Sequence, residues 1–120
     1  MKGFKDLIVY QKAFALAMDI FEISKRFPKE ETYSLVDQIR KSSRSVCSCL
    51  AEAYRKRKYI AHFVSKLTDS DMENSETSVW IDFSFACKYI NEQEHLSLSE
   101  RNKEIGRMLG NMIQYPEKYL

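Results

Sequence analysis

The stretch Gln38–Lys58, QIRKSSRSVCSCLAEAYRKRK, constrains the fold more than any other part of the chain. At about 100° per residue it sorts into two faces of one helix. Val36, Ile39, Ser43, Val46, Leu50 and Ala53 recur at alternating spacings of three and four. That is a core seam of the bundle type, with a small polar residue, Ser43, in one layer. Arg40, Lys41, Arg44, Arg55 and Lys58 fall together on another face, within about 100° of arc. One helix therefore carries both a packing face and a basic stripe.

Only three Gly and two Pro occur in 120 residues, which leaves little material for tight turns and favours long helices. A first helix is expected over residues 6–26, capped by Asp6, with Tyr10, Ala13, Ala17, Ile20 and Ser24 on its core face. Phe14 and Phe21 widen that face. Phe27-Pro28 stops the helix, because the residue before a proline is pushed out of helical geometry. Glu30 and Glu31 favour the start of a second helix over residues 31–57. A third helix is expected over residues 60–91. Ile60, Phe63, Val64 and Leu67 form its first stripe, and Met72, Val79, Phe83, Ala86 and Ile90 its second. Trp80, Ile81, Phe85 and Tyr89 lie beside or opposite the second stripe. This half is thus apolar around more of its circumference than one face needs, and these four residues are candidates for an interface with another copy.

A loop is expected over Asn91–Leu96. Ser97 and Glu100 have capping-box spacing and open a last helix over residues 98–115. Leu98, Ile105, Leu109 and Met112 give its core stripe. Gly106 and Gly110, one turn apart, allow close approach of another backbone. Pro116 ends it, leaving the short tail EKYL. The expected fold is all-α: an antiparallel up-down four-helix bundle, one domain over residues 1–120.

Formal net charge is only +2, but it is unevenly placed. Gln38–Lys58 holds seven Lys/Arg against one acid, and Asp69–Glu76 holds four acids and no base. Phosphate contact needs cations in register on an accessible surface, and Arg adds a planar fork. Arg40, Lys41, Arg44 and Arg55 with Lys56, Arg57 and Lys58 are the candidate nucleic-acid contacts. Tyr54 and Tyr59 flank them as candidates for stacking on unpaired bases. The competing readings are a solvated face, or one neutralised by Asp69, Asp71, Glu73 and Glu76, in the same chain or in a neighbouring copy.

Other chemistry is poorly supported. DSDMENSE lacks the glycine and the last glutamate of a calcium loop, so no metal site is expected. Neither His62 nor His95 falls in a metal or nucleophile motif. Glu73 and Glu76 lack the histidine three residues on that di-iron bundles use. No catalytic residues and no cofactor are expected. Cys47 and Cys49 point to nearly opposite sides of their helix and cannot bridge each other. No apolar run approaches the length of a membrane span, and no signal peptide is apparent, so a cytoplasmic protein is expected.

Three segments together resemble a known family: the opening FKDLIVYQKA, the segment RFPKEETYSL, and the run QIRKSSRSVCSCLAEAYRKRK. They resemble a bacterial four-helix-bundle family that includes proteins encoded in intervening sequences of large-subunit ribosomal RNA genes. Glu76-Thr77 and Trp80-Ile81 match its ET-x-x-WL pattern. Its second helix typically reads QIRRA-x-x-S-I-x-x-N-I-A-E-G, then arginine. Gln38, Ile39, Arg40, Ser45, Ala51 and Glu52 match. Cys49 stands where asparagine is usual, Ala53 where glycine is usual, and Lys56 where arginine is usual. The resemblance implies a homopentamer and RNA or DNA binding. A related group, the accessory proteins of diversity-generating retroelements, is similar in fold and binds a reverse transcriptase as well as nucleic acid. A protein partner, such as a polymerase, is thus the alternative use of the stripe.

Overall fold

The computed structural model describes residues 3–120. Four helices run in chain order: α1 (Ile8–Ser24), α2 (Leu35–Arg55), α3 (Ile60–Ala86) and α4 (Glu92–Gln114). Each packs on its neighbours in sequence, and α1 closes the ring onto α4. The result is an antiparallel up-down four-helix bundle without strands among the described residues. At 1.5 Å per residue, α3 alone is about 40 Å long. It accounts for most of the 44 Å long dimension of the molecule.

The α2 seam lies where its spacing puts it: Val36, Ile39, Ser43, Val46, Leu50 and Ala53 are all buried. Ala13, Ala17, Ile20 and Ser24 of α1 and Leu98, Ile105, Leu109 and Met112 of α4 join them. Phe14, in contrast, is 52% exposed and does not widen the core face.

α3 departs most from its expected pattern. Met72, Val79 and Phe83 face solvent, at 64%, 47% and 52% exposure. The buried face holds Phe63, Leu67 and Ile81 interleaved with Ser70, Asn74, Thr77 and Ser84. Each small polar group has a partner, as burial demands. Ser70 Oγ donates to Val46 O at 2.8 Å, and Thr77 Oγ1 lies 2.9 Å from Ser42 Oγ. Asn74 Nδ2 donates to Asn102 O, and Asn102 Nδ2 returns a bond to Asn74 O, at 3.0 and 2.9 Å. Gly106 sits beside this pair; a Cβ there would lie 3.3 Å from Asn74 Nδ2. Gly110 meets nothing within 4 Å, so only the first of the two glycines marks a close approach.

Helix ends also differ from expectation. Asp6 lies in a short 3-10 turn, and Leu7 occupies the N-cap of α1 without a side-chain bond. Glu31 stands before α2, where Oε1 accepts from Ser34 Oγ at 2.6 Å and from the Leu35 amide at 3.4 Å. α3 stops at Ala86 although no glycine is near. Lys88 takes the left-handed conformation, φ 65°. The Tyr89 amide reaches Ser84 O and the Lys88 amide reaches Phe85 O, both at 2.9 Å, which is a Schellman closure. Asn91, not Ser97, caps α4: Asn91 Oδ1 accepts from the Glu94 amide and Glu94 Oε1 from the Asn91 amide. The segment expected to be a loop is the first turn of α4. After Pro116 the tail forms one more 3-10 turn, Pro116–Tyr119.

Candidate nucleic-acid interface

The basic stripe divides into two ends of one surface. Arg40 and Arg55 are fifteen residues apart on α2, about 22 Å along its axis. At the first end, Arg40, Lys41 and Arg44 line an open groove with Thr32, Asp37 and Ser48. Lys41 and Arg44 are exposed, and Arg40 is half-buried. The Arg40 guanidinium is fixed against the end of α1. Nε donates to Ser24 Oγ at 2.8 Å and Nη2 to Phe21 O at 3.4 Å. It also lies 4.7 Å from the centre of the Phe21 ring, with Arg44 at 5.6 Å. Carbonyls at a helix C-terminus need donors and carry partial negative charge, so this placement is structural as well as electrostatic.

At the second end, Arg55, Arg57 and Lys58 line a concavity with Phe4, Lys5 and Asp6. Lys5 is absent from the sequence-based candidates. Fifty residues separate it from Arg55, and only the packing of the N-terminal turn on α2 brings them together. Arg57 is committed elsewhere: Nε donates to Tyr54 O at 2.8 Å and Nη1 to Tyr119 O at 3.3 Å. Its guanidinium stacks 3.6 Å from the centre of the Tyr54 ring. Tyr54 is therefore buried and offers no face for a base, whereas Tyr59 is exposed. Lys56 and Lys58 are exposed in the turn that follows α2.

None of the seven basic residues forms an ion pair with a carboxylate among the described residues. Of the acids of α3, Asp69 lies 3.7 Å from Lys66, which also takes Glu52 of α2 at 2.8 Å. Burial raises the Glu73 carboxyl, the neighbouring Glu76 raises it further, and Lys41 draws it back.

The four residues expected at an interface with another copy scatter. Ile81 is fully buried in the chain's own core and has no surface to offer. Tyr89 is half-buried; its ring lies 5.2 Å from that of Phe27 and its hydroxyl donates to Glu31 Oε2 at 2.8 Å. That bond pushes the phenol up to about 12. Phe85 stacks on His95, centroids 4.3 Å apart. Trp80 is half-buried beside Phe83, with its indole N–H buried and unbonded. The large apolar side chains that α3 leaves exposed are Ile60, Met72, Val79, Phe83 and, of the four, Phe85.

No cluster of three or more His, Cys, Asp or Glu suited to a metal occurs among the described residues. His95 pairs with Asp82 at 2.9 Å, and the three cysteines are free thiols. Burial pushes the Cys47 thiol up to about 11, away from a reactive thiolate. Among the same residues no helix is long and apolar enough to cross a membrane.

Comparison with known proteins adds two findings. A family model described as "23S rRNA-intervening sequence protein" matches residues 5–111. Among solved structures, the chain is similar to a protein of unknown function from the S23 ribosomal protein family of Bacteroides thetaiotaomicron VPI-5482. That pair is 25% identical with a TM-score of 0.80, over 89% of this chain and 96% of the other. No curated protein matches the sequence.

Proposed function

Since the chain belongs to the 23S rRNA-intervening sequence protein family, we propose that it is a non-enzymatic, cytoplasmic nucleic-acid-binding protein, with RNA as its ligand. The supporting observation is the basic surface of α2 and the turn after it: seven cations, none ion-paired with a carboxylate among the described residues. Lys41, Arg44, Arg55, Lys56 and Lys58 supply exposed charge. Arg40 adds a fixed guanidinium, and Arg57 mainly secures the end of α2. Lys5 joins the second cluster. Such a surface reads charge and backbone spacing, since phosphate contacts position a ligand without specifying its sequence.

The protein works as a homo-oligomer, with the pentamer of the resembling family as the expected size. The exposed apolar side chains Met72, Val79, Phe83 and Phe85 of α3 support this, as surface that another copy could cover. A ring multiplies the basic faces and so the phosphate contacts.

The test is a salt titration of RNA affinity by filter binding. Neutralising several phosphates releases condensed counterions, so affinity falls linearly in log–log form, by about 0.7 to 0.9 of a unit per contact. A steep slope is expected. A flat one, or no binding at low salt, contradicts the proposal and turns attention to a protein partner.

A further inference from the structure

The two basic ends are joined by a third, apolar concavity. Tyr10, Phe14 and Met18 of α1 face Cys47 and Ala51 of α2 across it, with Phe4 at one end and Arg44 at the other. Arg44 and Ser48 also line the first basic groove, and Phe4 also lines the second. The three concavities therefore share walls in series, and the surface reads basic, apolar, basic. The apolar stretch is open: Phe14 is 52% and Met18 44% exposed. Its rings are ordered against one another. Phe4 and Tyr10 meet edge to face at 5.2 Å, and Tyr10 lies 6.1 Å from Phe14. One turn and more beyond, Phe21 carries Lys25, Arg40 and Arg44 over its ring at 4.6, 4.7 and 5.6 Å.

From this we propose that the α1/α2 face takes an unpaired strand rather than a duplex, with bases against Tyr10, Phe14 and Met18 and phosphates on the flanking cations. The inference rests on the nucleic-acid reading above and narrows its ligand. A duplex keeps its base faces stacked inside and presents phosphates, sugars and groove edges, so it would leave an open aromatic floor without a ring to stack on. A single strand presents both parts in alternation. Cations bordering a floor of aromatic rings are the usual device for holding it, each base stacking on a ring. The length agrees. About 22 Å of α2 separates Arg40 from Arg55, which is about six phosphates at the 3.4 Å spacing of a stacked strand and fewer in an extended one. The carboxylates on this surface, Asp37 at one end and Asp6 at the other, are outnumbered by cations at each.

The test compares a labelled twelve-nucleotide polyuridylate with a blunt RNA duplex of equal length, at one salt concentration, on the full chain. The single strand is expected to bind at least about tenfold tighter. Phe14→Ala, at an exposed position that leaves the fold intact by circular dichroism, should erase most of that preference. Its affinity for the duplex should stay within about twofold, because no cation is lost. A 2-aminopurine placed mid-strand should be quenched on binding to the wild type and less so on binding to Phe14→Ala. If the duplex binds as tightly as the strand, or Phe14→Ala changes neither affinity nor quenching, the inference fails while the nucleic-acid reading stands. If neither RNA binds, both fail. If Phe14→Ala instead dissociates the oligomer in light scattering, the groove is covered by another copy and the inference is overturned.

Discussion

Along α2 the buried positions are apolar except Ser42 and Ser43, and the exposed side carries the cations. Along α3, packed against it, the pattern inverts. Ser70, Asn74, Thr77 and Ser84 are buried and Met72, Val79 and Phe83 are exposed. The two helices meet through their small side chains, Thr77 against Ser42 and Ser70 against the Val46 carbonyl. Hydroxyls bonded this way satisfy themselves and let the helix axes approach closely. α2 thus divides its labour by face within one chain. The outer apolar side chains of α3 take no part in the chain's own core.

The largest expected effect separates the two helices most sharply. Leu50→Ala, at a fully buried α2 position, should destabilise by about 2–5 kcal/mol in denaturant unfolding. Met72→Ser, on the exposed α3 stripe, should leave stability of the single chain within about 0.5 kcal/mol. A large loss of monomer stability from Met72→Ser would undo the contrast.

The polar core of α3 comes next. Asn74→Ala removes a reciprocal amide pair and leaves Asn102 short of a partner. A loss of about 1–3 kcal/mol is expected. The effects of Asn74→Ala and Asn102→Ala should add to more than that of the double variant, because both break the same pair. Full additivity would mean that the two amides do not act together.

Smaller effects test the helix ends. Asn91→Ala should lower stability by about 1 kcal/mol through loss of the α4 cap, while Ser97→Ala stays near zero. The Asn91 backbone amide, then Arg26, hold the Glu94 carboxyl below its usual range. A carboxyl lowered on folding stabilises fully above its unfolded value, and the gain is lost as pH falls through the lowered folded value. Glu94→Gln should therefore flatten the fall of stability below about pH 4.3, as followed by melting temperature against pH. Smallest is Gly110→Ala, on the open side of α4. It should stabilise by up to about 1 kcal/mol. Gly106→Ala should gain less, since its Cβ meets Asn74 Nδ2 at 3.3 Å.

The bundle was legible because α1, α2 and α4 place apolar residues at helical spacing on the buried side. α3 misled because periodicity assumes that the apolar face is the inner one. Phe63 and Leu67 lie inside as spaced, but from Ser70 to Ser84 bonded hydroxyls and an amide share the inner face with Ile81 while Met72, Val79 and Phe83 turn outward. The end of α3 was hidden because Lys88 takes a conformation usually left to glycine. Tyr89, anchored on Phe27 and Glu31, follows directly after it. For the site, the α2 cations could be read directly from spacing along one helix. Lys5 and the aromatic floor of Phe4, Tyr10 and Phe14 could not, because they join the stripe only through packing of the N-terminal turn and α1 on α2. Tyr54, a flanking ring in the sequence, proves to be buried under Arg57.

The most direct test of the nucleic-acid assignment is fluorescence anisotropy of a labelled structured RNA carrying single-stranded loops, titrated with wild type and with Arg44→Glu/Arg55→Glu. Light scattering on the same samples reports the oligomer. Binding by the wild type that the reversal abolishes, with oligomer and helicity unchanged, is the predicted result. Equal binding by both proteins, or reversal that breaks the oligomer while the wild type never binds RNA, would contradict it.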